Sequence, residues 1–517
     1  MNAAKLATAF ALAMIVADVA DLRQAAANGL QQPESITPVG SSHASSTPGI
    51  RQPDSQQVMV TDRVAARTKL RQPELLPSAP QQAGYYDDKV PAGPPEAPMA
   101  PERAGNHAEG HSDGYAEGAA VVDGSAACGC ESGGYGGDCC CDSGCNNGGW
   151  GNCLGDCCLG EPWVLRDCLT PCCCDGPEYG GWFSFGYYNN AERLSIQRGD
   201  ERSFNDLPHN LNLDQAWFYV GKEAQADCGC GYGYRLDVMY GAQGHTAQSF
   251  GNDGGTWDVT WDHGSYEWAI PQLYGEVAFG DWNVKVGHFF TPAGYEVVPA
   301  TGNFFYSHSL THYNSEPFTH TGVLGTYSAN DCLTVYTGWS LGWDTGFDQF
   351  GAGNIFLGGF GYEAGDDVTF TYITTIGNFG WRSGNQDGWS QHIVALFDIC
   401  CDWQYVIQHD YVVTNGVVTD DEYENEDKGV TQYLFYTLND CWRLGGRAEW
   451  WKSNNVVAGE DISFYEVSGG INYKPHANVV VRPEIRYDWT PAADTVNDAA
   501  GVNYNQTWFG VDAIFTY

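Results

Sequence analysis

Beyond Tyr179 the chain settles into a hydrophobic period of two. In 442–451, Trp442, Leu444, Ala448 and Trp450 share one face and Arg443, Arg447 and Glu449 the other. In 478–488, Val479, Val481, Ile485 and Tyr487 oppose Arg482, Glu484, Arg486 and Asp488, and in 232–240 Tyr232, Tyr234, Leu236, Val238 and Tyr240 oppose Arg235 and Asp237. Successive side chains of an extended strand point to opposite sides, so each stretch is expected to be a strand with one apolar and one polar face. Sixteen such strands are expected, from 181–188 to 506–517. In the last, Thr507, Phe509, Val511, Ala513, Phe515 and Tyr517 lie opposite Gln506, Trp508, Gly510, Asp512 and Thr516. Two stretches, 211–221 and 391–399, alternate too poorly for their faces to be assigned. A strand of about ten residues, at roughly 3.3 Å each and a tilt of about 45°, spans on the order of 23 Å, the height of a bilayer's apolar band.

The connections alternate between tight and long. Tight ones include Phe279-Gly280-Asp281-Trp282, Ala329-Asn330-Asp331-Cys332, Cys400-Cys401-Asp402 and Leu438-Asn439-Asp440-Cys441. Gly, Asn and Asp supply the positive φ values that hairpin turns demand. Long ones include 189–210, 291–321, 413–428 and 452–461. Tight turns of outer-membrane barrels face the periplasm and long loops face outward, which would set both the start of the first strand and Tyr517 on the periplasmic side. A soluble sandwich shows the same alternation with its polar face outward. Aromatic residues at strand ends, Trp282, Trp403, Trp442, Trp450 and Tyr517, favour a membrane with interfacial girdles.

Upstream the pattern vanishes. Residues 1–27 carry Lys5, an apolar run and Ala25-Ala26-Ala27, the form of a secretory signal peptide. Residues 28–123 are rich in Pro, Ala, Gln and Ser and offer too little apolar surface to offset chain ordering, so a disordered spacer is expected. Residues 124–178 are a Gly/Cys-rich segment with Cys128, Cys130, Cys139, Cys140, Cys141, Cys145, Cys153, Cys157, Cys158, Cys168, Cys172, Cys173 and Cys174. In an exported protein these are disulfide candidates, expected to staple the segment into a knot. Zinc is a weaker rival, because no histidine lies among them. The chain has 19 cysteines, an odd number that permits a disulfide-linked envelope partner. Residues 179–517 form the barrel domain.

Charge narrows the partners. A net charge of −40 repels nucleic acid. From Gly181 onward 42 Asp and Glu stand against 14 Lys and Arg, leaving −28. No stretch approaches the roughly 20 apolar residues of a spanning helix, so a membrane reading requires a barrel. The fold class expected is all-β, a transmembrane antiparallel β-barrel preceded by a disordered, Cys-rich region.

Three stretches carry a resemblance: Gly287-His288-Phe289-Phe290-Thr291-Pro292-Ala293-Gly294-Tyr295-Glu296, then Asn303-Phe304-Phe305-Tyr306-Ser307-His308-Ser309, then Pro317-Phe318-Thr319-His320-Thr321-Gly322. With them, residues 179–517 resemble the outer-membrane β-barrel porins described as OmpL-like. A basic residue is often found in that family where this chain has His308. The resemblance implies a diffusion channel and leaves its solute open.

Candidate chemistry centres on the loop 291–321. It is aromatic enough to fold into the lumen, presenting Glu296 and Glu316 to a basic wall of Arg443, Arg447, Arg482 and Arg486 as a constriction. Alternatively, these arginines pair with Glu449, Glu484 and Asp488 in a ladder on neighbouring strands. Arg235 and Asp237 would line the channel too. The run Asp420-Asp421-Glu422-Tyr423-Glu424-Asn425-Glu426-Asp427 reads as an acidic outer loop. No cofactor, metal site or catalysis is expected, although His308, Ser309 and His312 offer the residue types of a hydrolase. The expected function is a porin passing small hydrophilic solutes or ions, with outer-membrane lipid and the barrel-assembly machinery as partners. The alternatives are a structural or adhesive envelope protein anchored by its barrel and, more weakly, a secreted all-β binding protein.

Overall fold

A computed structural model describes residues 157, 159–165, 177–192, 204–226, 229–249, 257–258, 262–347, 352–380, 387–418, 421–457, 460–492 and 504–517. The signal-peptide and spacer expectations, and every cysteine of the 128–174 block except Cys157, lie outside them.

Among the described residues seventeen strands form one antiparallel sheet. One, Asp262–His263, is a two-residue arm folded back on Tyr266–Phe279. The other sixteen make a closed wall running from Glu178–Tyr188 to Gln506–Thr516. The last strand pairs with the first from Trp182↔Thr516 to Tyr188↔Gly510. Closure satisfies every edge, which lipid requires because it offers no hydrogen bonds of its own. Among the described residues no helix is long and apolar enough to cross a membrane.

The faces separate as the alternation predicts. Phe183, Phe185, Tyr187, Leu444, Ile485, Tyr487, Phe509 and Phe515 are exposed, whereas Arg447, Glu449, Arg482, Glu484, Arg486, Asp488 and Asp512 are buried. Apolar residues outside and charges inside is the reverse of a soluble sandwich and suits lipid. Aromatic pairs Trp282–Tyr327, Trp403–Tyr436 and Trp442–Tyr473, with ring centroids 4.9, 4.6 and 4.2 Å apart, mark the tight-turn ends as an aromatic girdle. Trp450, expected in the same girdle, is instead buried, its indole N–H on Ser463 Oγ.

The poorly alternating stretches have two different causes. In Asn212–Lys222 a β-bulge opposes Ser184 and Phe185 to Gln215 and Leu213, and Asp214 is the extra residue. The bulge turns both Asp214 and Gln215 inward and breaks the period of two. In Asp387–Cys400 no bulge intervenes before Asp398. There the inner face mixes His392, 2.6 Å from Asp410, with Val394 and Leu396, which pack in a cluster with Phe305, Val406 and Tyr433, so its polar signal is weak.

Two expected loops are strand instead. Trp403–Val418 and Asp421–Asn439 stay in register out to Val418↔Asp421, and Trp442–Val457 and Glu460–His476 pair out to Val457↔Glu460. At roughly 3.3 Å per residue such hairpins outrun the apolar band and continue beyond it. Most of the acidic run therefore lies on a strand, where Glu426 pairs with Lys428 at 3.1 Å and accepts from the Tyr411 hydroxyl at 2.9 Å.

At the tight-turn end Cys157 is bonded to Cys441, 284 residues away, with Cα atoms 5.7 Å apart. A knot closed within the Cys-rich segment was expected; this cysteine instead joins the segment to a turn of the barrel.

Candidate functional site

The loop between the strands Trp282–Phe290 and Thr319–Asn330 enters the barrel and is fastened to its inner wall. The three family-like stretches supply many of the fastenings. Gly294, at φ +87°, reverses the chain where a Cβ would meet the Glu316 carboxylate at 2.3 Å. Tyr295 N–H then donates to Gln408 Oε1 at 2.9 Å and its ring packs 4.8 Å from Tyr433. Glu296 accepts from Arg447 at 2.8 Å, Tyr433 OH at 3.0 Å and Ser309 N–H at 2.7 Å.

In the second stretch the backbone amides of Tyr306 and Ser307 both donate to Glu484, at 2.9 and 2.8 Å. Phe304 and Phe305 lie on a flat patch of wall where Gly445 faces Gly470. A Cβ at Gly445 would stand 2.3 Å from the Phe304 ring, so the close approach depends on that glycine. A short helix, Leu310–Ser315, follows, with Ser309 Oγ accepting from His312 N–H at 3.1 Å. Its first amides, Leu310 and Thr311, donate to Glu449 at 2.7 and 2.6 Å. In the third stretch Phe318 and Thr319 donate to Asp344 at 2.8 and 3.0 Å.

The basic wall meets the loop by direct contact and not across open water. Arg447 bridges Glu296 and Glu466, at 2.8 and 2.9 Å, and also donates to the Ser307 carbonyl at 2.9 Å. Arg482 pairs with Asp512 at 2.6 Å and donates to the Ala300 carbonyl at 2.8 Å. Arg486 pairs with Asp488 at 2.8 Å and donates to the His308 carbonyl. Each guanidinium thus joins a wall carboxylate to a loop carbonyl, its fixed fork of donors serving both at once.

The contacts sort the predicted residues. Glu296 does face the basic wall, but Glu316 accepts from Gln408 and lies 2.8 Å from His312 Nδ1. Ladder pairs form, yet Glu449 and Glu484 spend their oxygens mainly on loop amides. Arg443 stands apart, half-buried, stacked 4.5 Å from Phe435 and donating to Gln404 at 2.8 Å. Arg235 and Asp237 form their own pair on Gly231–Gly241, with Trp217 Nε1 donating to Asp237 at 2.9 Å. The residues that pattern alone did not single out are Gln215, Gln408, Tyr433, Glu466 and Asp512. The inward parity of Asp512 and of Gln408, two before Asp410, was the available signal.

His308 and His312 serve the docking. His308 Nε2 lies 3.0 Å from the Val297 carbonyl, and its ring stacks on Phe204 and His312 at 4.2 and 5.1 Å. Burial, and then the neighbouring charge of His312, lower the His308 pKa to about 3. Burial opposes the charged form of Glu296 also, but Arg447, His308 and His312 hold its carboxyl down at about 2. Burial and then Asp410 push Glu316 well above the usual carboxylate range.

Docking therefore depends on pH. A released His308 titrates near 6.5, above its docked value, so its contribution is complete above about pH 6.5 and is lost as pH falls toward 3. Glu296 contributes fully above about pH 4.5 and loses that contribution as pH falls through about 2, whereas Glu316 works in the opposite sense. Single-channel records from pH 7 to 4 should show increasing loop openings, and His308→Gln should flatten that rise. Equal slopes in both proteins would remove His308 from the account.

The anion-selective porin from Comamonas acidovorans is similar at TM-score 0.47 and 10% identity, over 66% of this chain and 99% of its own. The outer membrane channel DcaP of Acinetobacter baumannii gives 0.45 and 11%, over 67% and 99%. OmpT of Vibrio cholerae gives 0.43 and 12%, over 66% and 97%. No curated protein matches the chain. Residues 178–517, more than half its length, match the family described as beta-barrel porin-2, OmpL-like, and the chain belongs to that family of outer-membrane channels.

Proposed function

We propose that the chain is a narrow, cation-favouring diffusion pore whose cross-section is set by the docked 291–321 loop. The observation that carries this reading is the fastening of that loop along one arc of the inner wall, by Arg447, Arg482 and Arg486 and by Gln215, which accepts from Ala300 N–H and donates to the Val298 carbonyl at 2.9 and 2.7 Å. A loop held against that arc narrows the lumen and leaves water beside it, and small hydrophilic solutes would pass there by size and charge. Ion bias would come from the acidic surplus of the barrel region, 42 carboxylates against 14 basic residues. In this reading the tight-turn rim and the Cys-rich segment face the periplasm, and the barrel-assembly machinery inserts the wall.

Reversal potential in a tenfold KCl gradient tests it. The expected sign is that of a cation-preferring pore with small unitary conductance; anion preference would overturn the charge assignment. Family membership favours a channel over an anchoring barrel. Absence of any conductance from the refolded protein would return the anchor to first place.

A further inference from the structure

The cysteines are sorted by position in the fold. Thirteen lie in residues 128–174, and the other six are Cys228, Cys230, Cys332, Cys400, Cys401 and Cys441. The five described ones, Cys230, Cys332, Cys400, Cys401 and Cys441, fall in or at the edge of the tight connections 223–230, 331–332, 401–402 and 440–441, at the end of the barrel where Glu178–Tyr188 begins. Random placement over a wall of long strands would scatter most of them elsewhere. Cys332 and Cys441 close the same Asn-Asp-Cys turn, with Asn330 and Asn439 each accepting from the cysteine N–H at 2.9 Å.

A described piece of the upstream segment already runs along this rim. From Cys157, bonded to Cys441, it passes to the next tight turn: Ala477 N–H donates to the Leu159 carbonyl at 2.9 Å. Asn478 then grips Trp163 from both sides, accepting from its N–H and donating to its carbonyl at 2.7 Å each. Followed toward its amino end, this piece moves from the turn 477–478 to the turn 440–441. Farther around the rim in that sense stand the turn of Cys401, then the turn 364–367, then the turn of Cys332. Cys332 and Cys401 are both disulfide-bonded, whereas Cys230 and Cys400 are free thiols.

We propose that the Cys-rich segment is a strap laced around the tight-turn rim, its cysteines bridged in order to Cys441, Cys401 and Cys332. Reach permits it. Neighbouring tight turns are two strands apart, about 10 Å across the strands and about 14 Å along a rim tilted at about 45°. Cys153 lies four residues before Cys157, an extended reach of roughly 13 Å, before the further span of the bridges themselves. Cys139, Cys140, Cys141 and Cys145 have the length to continue to Cys332. Each bridge forms by exchange with an envelope thiol oxidase. A rim thiolate attacks one sulfur of the oxidase disulfide, and a strap thiolate then displaces the oxidase sulfur. The two thiol protons are lost, and the oxidase departs as a dithiol carrying both electrons. The oxidising compartment rests on the periplasmic placement of the rim proposed above.

The test uses the full chain purified from outer membrane, alkylated without reductant, digested and mapped by mass spectrometry. Peptides from the Cys-rich block should be joined to peptides carrying Cys332, Cys401 and Cys441, while Cys230 and Cys400 carry alkyl groups. Recovery of Cys332 and Cys401 joined to each other, joined to another protein or alkylated would overturn the strap. A membrane-impermeant maleimide on intact cells separates this from the orientation. Labelling of Cys230 only after the outer membrane is opened supports a periplasmic rim, whereas labelling of intact cells overturns the periplasmic assignment even if the map shows the strap.

Discussion

Arg447→Ala should release the loop and raise unitary conductance several-fold, with a drop in the heat resistance of the folded barrel. The guanidinium is buried and touches Glu296, Glu466 and Ser307, with Glu484 at 3.7 Å. Its removal leaves three carboxylates facing one another in a site closed to water, with Arg486, which reaches Ser307 Oγ at 3.3 Å, as the nearby cation that remains. Breaking a buried pair by deleting one partner costs about 3–5 kcal/mol. The cheapest relief is for Glu296 to leave, and it takes with it Ser309 and the helix that Ser309 caps. Arg447→Lys should recover only part of the effect, because one ammonium cannot serve carboxylates on two sides and a carbonyl together. Conductance and heat-induced mobility shift on electrophoresis are the measurements, and an Arg447→Ala barrel unchanged in both would remove this arginine as the loop's anchor.

What the sequence displayed and what it hid divide along the distance between interacting residues. The wall was legible because strand faces obey a local rule: Arg447 and Glu449 point inward for the same reason that Leu444 and Ala448 point outward. Closure was legible from the count and parity of the connections. The loop's partners were not. Glu296 and Glu316 look alike in sequence, yet one finds Arg447 and the other Gln408 and His312, contacts fixed by how the loop folds inside the barrel. Asp214 was hidden for a different reason. One extra residue shifts the period of two, and nothing local announces a bulge that exists to turn its carboxylate toward the Tyr306 hydroxyl at 2.7 Å. The unassigned stretch 391–399 hides its face because only His392 marks the inner side, while Leu396 beneath Phe305 is as apolar there as the residues that face lipid.

Deleting Phe515, Ile514's neighbour on the closing strand, together with Thr516 and Tyr517, should prevent a closed barrel from forming in the membrane. These residues make the last rungs of the seam, Phe183↔Phe515 and Trp182↔Thr516, and continue it through Tyr517, whose N–H donates to the Gly181 carbonyl at 2.9 Å and whose carbonyl accepts from Gly181 at 3.1 Å. On the other flank Phe515 pairs with Val479, so the deletion frays two interfaces at once. Phe515 and the Tyr517 ring lie against Phe185 and Phe183 at 6.3 and 5.3 Å, and the Tyr517 hydroxyl donates to the Trp217 carbonyl at 2.8 Å. Without them the amides at the start of Glu178–Tyr188 face hydrocarbon, where each unpaired polar group costs several kcal/mol. Point substitutions separate the contributions. Phe515→Ala keeps the backbone rungs and, because the ring is exposed on the lipid face, should lower stability by less than the about 3–5 kcal/mol of a packed-core Phe→Ala. The truncation should abolish the heat-modifiable folded band altogether, and a truncated protein that still reaches that band and conducts would show that the seam closes without its final rungs.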